Sequence, residues 1–279
     1  MNREEANKRS DEALAELAEA LRKGRSDTLI EYLDFIGRFH QYSFCNCMLI
    51  ALQMPTATHV AGFGKWKTLG RWVRKGEKCI SILAPIKHKR SADEKSDDPE
   101  KSKVVIGFRI VSVFDVSQTD GKELPQFATL GGDPGELQGK LEDTIAKHGI
   151  ALSFSPNLCG ANGLSMGGAI EILDSLPPPQ KFSTTVHEFA HELLHKGDRR
   201  ENTSTVVRET EAEAVAYAVC RWAGIDCSTR AADYIQLYTG DEKLLLQSLE
   251  LIRDVAASII TALDCTSATS ENSAVADVA

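Results

Sequence analysis

The sequence lacks a long hydrophobic run. Apolar stretches such as 47–52 and 212–220 fall far short of the roughly 18 residues that a membrane-spanning helix needs. The N-terminal residues also lack the apolar core of a secretory signal peptide. These absences predict a cytoplasmic protein with no membrane partner.

Cysteine is present, but without a disulfide or zinc-finger pattern. The seven cysteines are an odd number, and Cys45 and Cys47 form C-x-C with no second pair to complete a zinc knuckle. Because disulfides are rare in the cytosol, we expect reduced thiols.

The chain also lacks an overall positive charge, although one segment is strongly basic. The net charge is −8, yet residues 59–90 hold nine lysines and arginines against one acid, which leaves −16 for the remainder. Such asymmetry indicates an anionic partner for one part of the chain. The overall acidity and the absence of helix-turn-helix or zinc-finger spacing argue against a sequence-specific DNA-binding protein.

Length and periodicity predict an α+β protein with two domains, because 279 residues exceed the size of one small core. Helical spacing and capping signals predict helices over 14–21, 28–39, 44–54, 136–147 and from the prolines 177–179 onward. β-rich segments predict strands over 59–63, 79–84, 104–116, 151–154 and 168–173. Residues 91–103 are expected to be a solvated loop, and the turn formers near 125–135 a domain break. We expect a helix-plus-small-sheet domain at 1–125, a second domain at 133–264, and a flexible tail at 265–279.

The motif His187-Glu188-Phe189-Ala190-His191 is HExxH. Residues four apart share a helix face, so both imidazoles are able to bind one ion, for which zinc is the typical metal. Glu188 then serves as the catalytic general base for hydrolysis. The alternative is a pair of surface histidines, which the apolar neighbours of the motif disfavour.

A catalytic zinc needs a third protein ligand. Glu209 and Glu213 share one face of a later helix, which predicts Glu209 as the ligand and Glu213 as a hydrogen-bond acceptor for a zinc-bound histidine. The reverse assignment stays open, and Tyr217 on the same face is either a neighbour of the site or a core residue. His195 lies about 12 Å along the helix from His187, so we expect it behind the ligands or in the core.

Residues 162–173 have the composition of a strand, either at the exposed edge of a sheet or inside it. An exposed edge would let an extended peptide substrate add to the sheet.

The motif and its order resemble the glutamate zincins, and within them the ImmA/IrrE metallopeptidases and the C-terminal domain of ArdC-type antirestriction proteins. The resemblance implies His187, His191 and Glu209 as zinc ligands in a zincin-like metallopeptidase domain at 133–264. Manganese and other divalent ions remain alternatives to zinc, since imidazole and carboxylate ligands discriminate weakly.

The N-terminal half resembles the ArdC-type single-stranded-DNA-binding domain. The matching residues include Tyr42-Ser43-Phe44, Asn46, Trp66, 75–78 and 113–118. This resemblance adds Ser43 and Asn46 to the expected DNA-contacting residues.

The segment 64–78 has the mixture of cations and flat rings that single-stranded nucleic acid requires. The expected DNA-binding residues in it are Lys65, Trp66, Lys67, Arg71, Trp72, Arg74, Lys75 and Lys78. The alternative is that the tryptophans are core residues and the lysines are merely solvated. If only one tryptophan is core, we expect it to be Trp66.

Together these features predict a cytosolic zinc metallopeptidase linked to a single-stranded-DNA-binding domain. The resemblance to ArdC-type proteins implies that it protects mobile DNA from restriction. Its partners would be single-stranded DNA and a protein or peptide substrate. Two alternatives remain: an ImmA/IrrE-like regulatory protease that cleaves a repressor, and a non-enzymatic DNA shield with a structural zinc.

Overall fold

The computed structural model describes residues 3–22, 27–89, 103–122, 133–226 and 242–264. They form two compact units, one from the described parts of 1–13 and 45–125 and one from the described parts of 14–44 and 126–271. This division assigns residues 14–44 to the second unit, whereas the sequence suggests that they belong with the first. Helices and small sheets occur together, which confirms the predicted α+β class.

The helices are α1 (Arg3–Arg22), α2 (Asp27–Arg38), α3 (Phe44–Gln53), α4 (Phe63–Thr68), α5 (Leu137–Lys147), α6 (Pro178–Leu194), α7 (Asp198–Asn202), α8 (Thr205–Trp222) and α9 (Glu242–Asp264). The strands are β1 (Val60–Gly62), β2 (Arg71–Val73), β3 (Ile80–Lys89), β4 (Lys103–Asp115), β5 (Thr119–Gly121), β6 (Ala151–Ser155), β7 (Gly163–Ser165) and β8 (Ala169–Leu173). No helix in these ranges is both long and apolar enough to cross a bilayer.

The first unit is built on an antiparallel sheet in the order β1-β4-β3, next to a two-stranded ribbon of β2 and β5. In β3, Ile80, Ile82 and Ala84 are buried. Their spacing of two residues directs one face of the strand into the core. The ribbon closes tightly, because a Cβ on Gly121 would lie 2.4 Å from the carbonyl oxygen of Gly70.

Two amide side chains of α3 form hydrogen bonds with backbone groups at the outer edge of β3. Asn46 donates to the carbonyl of Leu83 and accepts from its N–H, both at 2.8 Å. Gln53 bonds the carbonyl and the N–H of Ser81 in the same way, at 2.9 and 3.0 Å. An unpaired strand edge is thereby satisfied by side chains, as a folded protein requires.

The second unit combines a three-stranded sheet with packed helices. Its strand order is β6-β8-β7, with β6 and β8 parallel and β7 antiparallel to β8. Helix α8 packs between α6, α9 and α2. The contact with α2 is close, since a Cβ on Gly37 would lie 2.8 Å from the carbonyl oxygen of Ala218.

The helices and strands predicted from periodicity are confirmed, but α1 begins 11 residues before the predicted start at residue 14, and β3 ends five residues after the predicted end at residue 84. The short elements α4, β2 and β5 and the long helix α9 were not anticipated. The short helix α7, which begins after Gly197, was not anticipated either. The predicted loop at 91–103 (apart from residue 103), the predicted tail at 265–279 and most of the predicted break at 125–135 lie outside the described residues.

Candidate metal centre

Helix α6 carries the two histidines of the HExxH motif. The helix starts at a proline, whose fixed backbone angle and missing N–H suit the first helical position. His187 and His191 lie one turn apart, and their Nε2 atoms are 3.1 Å from each other. One helix face therefore presents two nitrogen donors to the same point.

Glu209 on α8 completes a group of three donors. Its Oε2 lies 3.4 Å from Nε2 of His187 and its Oε1 lies 3.5 Å from Nε2 of His191. The donor atoms of the three residues all lie within 4.8 Å of one another. Two imidazoles and a carboxylate at this separation fit a single divalent cation.

Glu213 lies behind the first histidine. Its Oε2 accepts a hydrogen bond from Nδ1 of His187 at 3.1 Å, which leaves Nε2 to face Glu209. Burial lowers the pKa of His187, but the hydrogen bonds with Glu209 and Glu213 outweigh burial and raise the pKa to about 9. The same two carboxylates that favour a proton on His187 also favour a bound cation.

Glu188 projects beside the three donors and is buried. Burial raises its pKa above the ordinary value for a glutamate. It lines a cavity of about 310 Å³ together with the three donor residues, Gly163 and Arg208. A carboxylate in this position reaches the same space as the donor atoms.

A buried chain of hydrogen bonds lies behind the second histidine. His191 Nδ1 is 3.0 Å from Nδ1 of His195, and His195 Nε2 is 3.0 Å from Oε2 of Glu211. Burial lowers the pKa of His195. His195 therefore lies behind His191, a candidate ligand. Glu211 does not share the face of α8 that carries Glu209 and Glu213.

A second buried glutamate of α6, Glu192, holds the turn between β7 and β8. Glu192 accepts from the hydroxyl of Ser165 at 2.6 Å and from the N–H groups of Gly167 and Gly168 at 2.7 and 2.8 Å. Both glycines have positive φ angles, 76° and 101°, which favour glycine. Glu192, one residue after the HExxH motif, thus ties α6 to the end of β7, which is the last strand of the described sheet and packs beside α6.

Tyr217 has a different partner from the one expected. Its hydroxyl donates to Oδ1 of Asp34 at 3.0 Å, and Arg221 contacts the same oxygen at 2.8 Å. The prediction that Tyr217 supports the metal site is therefore corrected: it is buried and ties α8 to α2. Tyr217 is therefore a core tyrosine, which was the alternative interpretation from the sequence.

Two of the residues expected to contact DNA serve the interior of the first unit instead. Trp66 is 2% exposed, and its indole N–H donates to the carbonyl of Phe114 at 2.9 Å. Asn46 is occupied by the edge of β3. Both assignments are corrected, because neither side chain presents a free surface to a nucleic acid. The expectation that Trp66 is the core tryptophan is confirmed by its burial.

The arginines of the basic segment are bound within the unit. Arg71 donates to the hydroxyl and carbonyl of Thr119, at 2.8 and 2.9 Å. Arg74 forms ion pairs with Glu77 at 2.7 Å and Asp120 at 3.4 Å. These contacts use the guanidinium groups that the sequence suggests would bind phosphates.

The remaining expected DNA-binding residues lie at the surface. Trp72 is 60% exposed. The exposed or half-exposed polar residues are Ser43, Lys65, Lys67, Lys75 and Lys78. In the first unit, an aromatic ring and several cations therefore remain accessible.

The N-terminal part of the chain matches a known protein family, and most of the chain aligns with a curated relative. Residues 5–114 match the family model of the N-terminal domain of anti-restriction factor ArdC. An uncharacterized protein of Bacillus anthracis is 24% identical over 282 residues, and the alignment covers 85% of this chain and 48% of the relative. The chain thus spans about half the length of that relative.

Two crystal structures of the antirestriction ArdC protein from the R388 plasmid are also similar. The metal-free structure has a TM-score of 0.44 and 21% identity, covering 81% of this chain and 86% of that chain. The Mn(II)-bound structure has a TM-score of 0.44 and 18% identity, covering 86% and 99%. The match to the family model shows that residues 5–114 are similar to the N-terminal domain of anti-restriction factor ArdC.

Proposed function

We propose that this protein is a zinc-dependent peptidase whose N-terminal domain binds single-stranded DNA. The observation that carries the peptidase proposal is the convergence of His187, His191 and Glu209 beside the buried carboxylate of Glu188. Its ArdC-type N-terminal domain supports a role in antirestriction, in which incoming plasmid or phage DNA is protected.

The donor set fits a catalytic metal centre. Three protein ligands leave one coordination position open, as catalytic zinc sites require. Carboxylate ligands also suit manganese, and the Mn(II)-bound R388 protein makes manganese the second ion to test. When bound, such an ion polarises a carbonyl group and lowers the pKa of water.

Glu188 supplies the proton transfer in this proposal. Its raised pKa brings the carboxyl group closer to the range in which a general base works at neutral pH. Glu188 accepts a proton from the attacking water and delivers it to the leaving amine. The products are a carboxylate and an amine, so the reaction is peptide hydrolysis.

Strand β7 supplies the binding surface for the peptide. It is the last strand of the described sheet, so its outer edge is suited to pairing with an added extended segment. Glu192 fixes the end of β7, and Gly163 brings the strand against Glu188. An extended peptide paired there passes the metal centre.

The test of the peptidase uses the zinc-loaded full chain and a proteome-derived peptide library, with products identified by mass spectrometry. We expect cleavage by the wild type and none by Glu188→Gln, with equal zinc content in both proteins. Cleavage by Glu188→Gln would contradict the assigned role. A wild type that is inactive with zinc and with manganese would favour the non-enzymatic DNA shield with a structural metal.

The accessible Trp72 and the nearby Lys67, Lys75 and Lys78 support the DNA-binding proposal. Fluorescence anisotropy of a labelled single-stranded oligonucleotide tests it, and we expect binding that weakens as salt rises. No binding at low salt would overturn it. Cleavage of a repressor that persists without DNA would then favour the regulatory protease.

The proposed protein acts in the cytoplasm. Five described cysteines, Cys45, Cys47, Cys79, Cys159 and Cys220, are not joined in disulfides, which suits a reducing compartment. Mass spectrometry after alkylation of protein taken directly from cells tests this assignment.

A further inference from the structure

We propose that His195 and Glu211 form a relay that orients the metal ligand His191. This proposal rests on the proposed metal centre, and it assigns positioning roles to two residues outside the HExxH motif. Neither residue lies among the three donors that converge on the metal site.

The direction of the hydrogen bonds follows from their partners. A carboxylate only accepts, so Nε2 of His195 donates to Glu211. A neutral His195 then has an acceptor at Nδ1, and Nδ1 of His191 donates to it across 3.0 Å. This tautomer leaves a lone pair on Nε2 of His191, the atom that faces Glu209 and His187.

Glu211 is held in place from three sides. Arg199 donates to both of its oxygens at 2.6 and 2.7 Å, and the hydroxyl of Ser248 donates at 2.5 Å. The side chains of Glu211 and His195 are both 0% exposed. A buried carboxylate with these donors has one orientation, and it transmits that orientation through His195 to His191.

The two histidine ligands are thus supported differently. His187 is held directly by Glu213, whose side chain is partly exposed, whereas His191 is held through a second imidazole. Helices α6, α7, α8 and α9 all contribute to the second arrangement. The relay ties the metal site to the helical core of its unit.

Zinc affinity of the full chain, measured by competition with a colorimetric chelator, tests the relay without any peptide substrate. His195→Phe keeps an aromatic ring at this position but removes both nitrogens, and we expect zinc affinity to fall about 10–100-fold. His195→Gln restores a donor and an acceptor, and we expect affinity within about threefold of wild type, since the hydrogen bonds are kept. The visible spectrum of the cobalt(II) form should change in His195→Phe and return in His195→Gln.

Glu211→Gln and Ser248→Ala extend the test to the far end of the relay, and Glu250→Gln on the exposed side of α9 is the control. Circular dichroism of the metal-free proteins identifies any variant that fails to fold. A folded His195→Phe variant with wild-type zinc affinity and cobalt spectrum would overturn the relay. A wild type that binds zinc but cleaves nothing would overturn the peptidase and leave the relay standing.

A second inference concerns the substrate. We infer that a cavity beside the metal centre binds an acidic side chain of the peptide, and this inference rests on the proposed peptidase. The cavity has a volume of about 570 Å³ and is lined by residues that include Met166, Gly168, Lys196 and Arg200. Arg200 also lines the cavity of the metal centre, so the two cavities adjoin.

Two cationic side chains, Lys196 and Arg200, and one carboxylate, Glu192, line this cavity, and Lys196 interacts electrostatically with Glu192. Lys196 and Arg200 are exposed, and among the described residues neither side chain has an ion pair or hydrogen bond. Arg199, by contrast, is bound to Glu211. The one acidic residue in the lining, Glu192, is already bound to Ser165, Gly167 and Gly168.

The position of the cavity defines where the acidic residue falls. A strand rises about 3.3 Å per residue. Strand β7 runs from Gly163, at Glu188, to Ser165 and therefore spans about 7 Å, and the next residue, Met166, lines the cavity. A peptide that follows β7 thus places a side chain about three or four residues from the scissile bond over Lys196 and Arg200.

Cleavage-site profiling with the peptide library tests this inference. We expect the wild type to favour Asp or Glu at one position away from the scissile bond, and Arg200→Glu to lose or reverse that preference, mainly through KM. Lys147→Glu on α5 is the control and should keep the preference. Cleavage without acidic preference would overturn this inference alone, whereas absence of all cleavage would overturn the peptidase and this inference with it.

Discussion

Gly163 lies directly against Glu188. A Cβ on Gly163 would lie 2.7 Å from Cγ and 2.8 Å from Oε1 of Glu188. Strand β7 and the carboxylate therefore approach as closely as a backbone without a side chain allows. This contact brings the edge of the sheet and the proposed general base into one space.

Gly163→Ala is expected to displace Glu188 or β7 and to lower kcat by about 100-fold, because misplacement by about 1 Å has an effect of this size. Peptide cleavage by the zinc-loaded protein measures it. Gly139→Ala is the matched control, since a Cβ there meets nothing within 4 Å. Equal activity of the two variants would show that the contact with Gly163 has no catalytic consequence.

The three candidate metal donors were predictable because their signals are local. His187 and His191 are one helical turn apart, and Glu209 and Glu213 are likewise four residues apart, so helical periodicity alone orients each pair. Only the meeting of α6 with α8 is non-local. The HExxH motif anticipates that meeting because a catalytic metal needs a third ligand from elsewhere.

The supporting contacts were not predictable in the same way. Glu192 binds backbone N–H groups of Gly167 and Gly168, and any residue supplies such a group, so no side-chain pattern marks the partner. Glu211 points away from the face of Glu209, as periodicity indicates, but its role depends on where α6 ends and α9 packs. Trp66 and Trp72 have similar basic neighbours in the sequence, and only the packing of the folded unit buries the first and exposes the second.

Glu192→Gln is expected to loosen the turn after β7. Glu192 accepts three hydrogen bonds through its two carboxylate oxygens. In the variant one of these oxygens becomes an amide NH2 group, which donates and no longer accepts. We expect a loss of about 1–3 kcal/mol in the free energy of unfolding. Denaturant titration measures this loss, and Glu171→Gln on β8 is the control. An unchanged free energy would contradict a structural role for Glu192.

Tyr217→Phe distinguishes a core role from a role at the metal site. The variant removes the hydroxyl that donates to Asp34, so we expect a loss of about 1–2 kcal/mol in the free energy of unfolding. Zinc affinity should stay unchanged. If Tyr217→Phe instead weakened zinc binding and left the free energy of unfolding unchanged, Tyr217 would be assigned to the metal site after all.

Trp72→Ala and Trp66→Ala should have opposite consequences. Loss of the exposed ring of Trp72 is expected to weaken single-stranded DNA binding by about 1–3 kcal/mol for each stacked base, while Trp72→Phe retains most of the affinity. Trp66→Ala is expected to destabilise the first unit by about 3–5 kcal/mol. Anisotropy titration and thermal melting separate the two effects, and full DNA affinity in Trp72→Ala would remove Trp72 from the interface.

Asp115 gives the first unit a stability that depends on pH. Burial raises the pKa of its carboxyl, but hydrogen bonds from Ser117, Thr58 and His59 outweigh burial and hold the pKa below its ordinary value. A depressed pKa in the folded state contributes stability above the ordinary pKa, and this contribution is lost as pH falls through the folded value. Asp115→Asn should therefore be less stable than wild type at pH 7, and the difference should shrink in acid below pH of about 4. Denaturant titrations across this range measure the difference, with the exposed Asp143→Asn as control. A gap between wild type and Asp115→Asn that stays constant down to acid pH would show that the charge of Asp115 does not stabilise the fold.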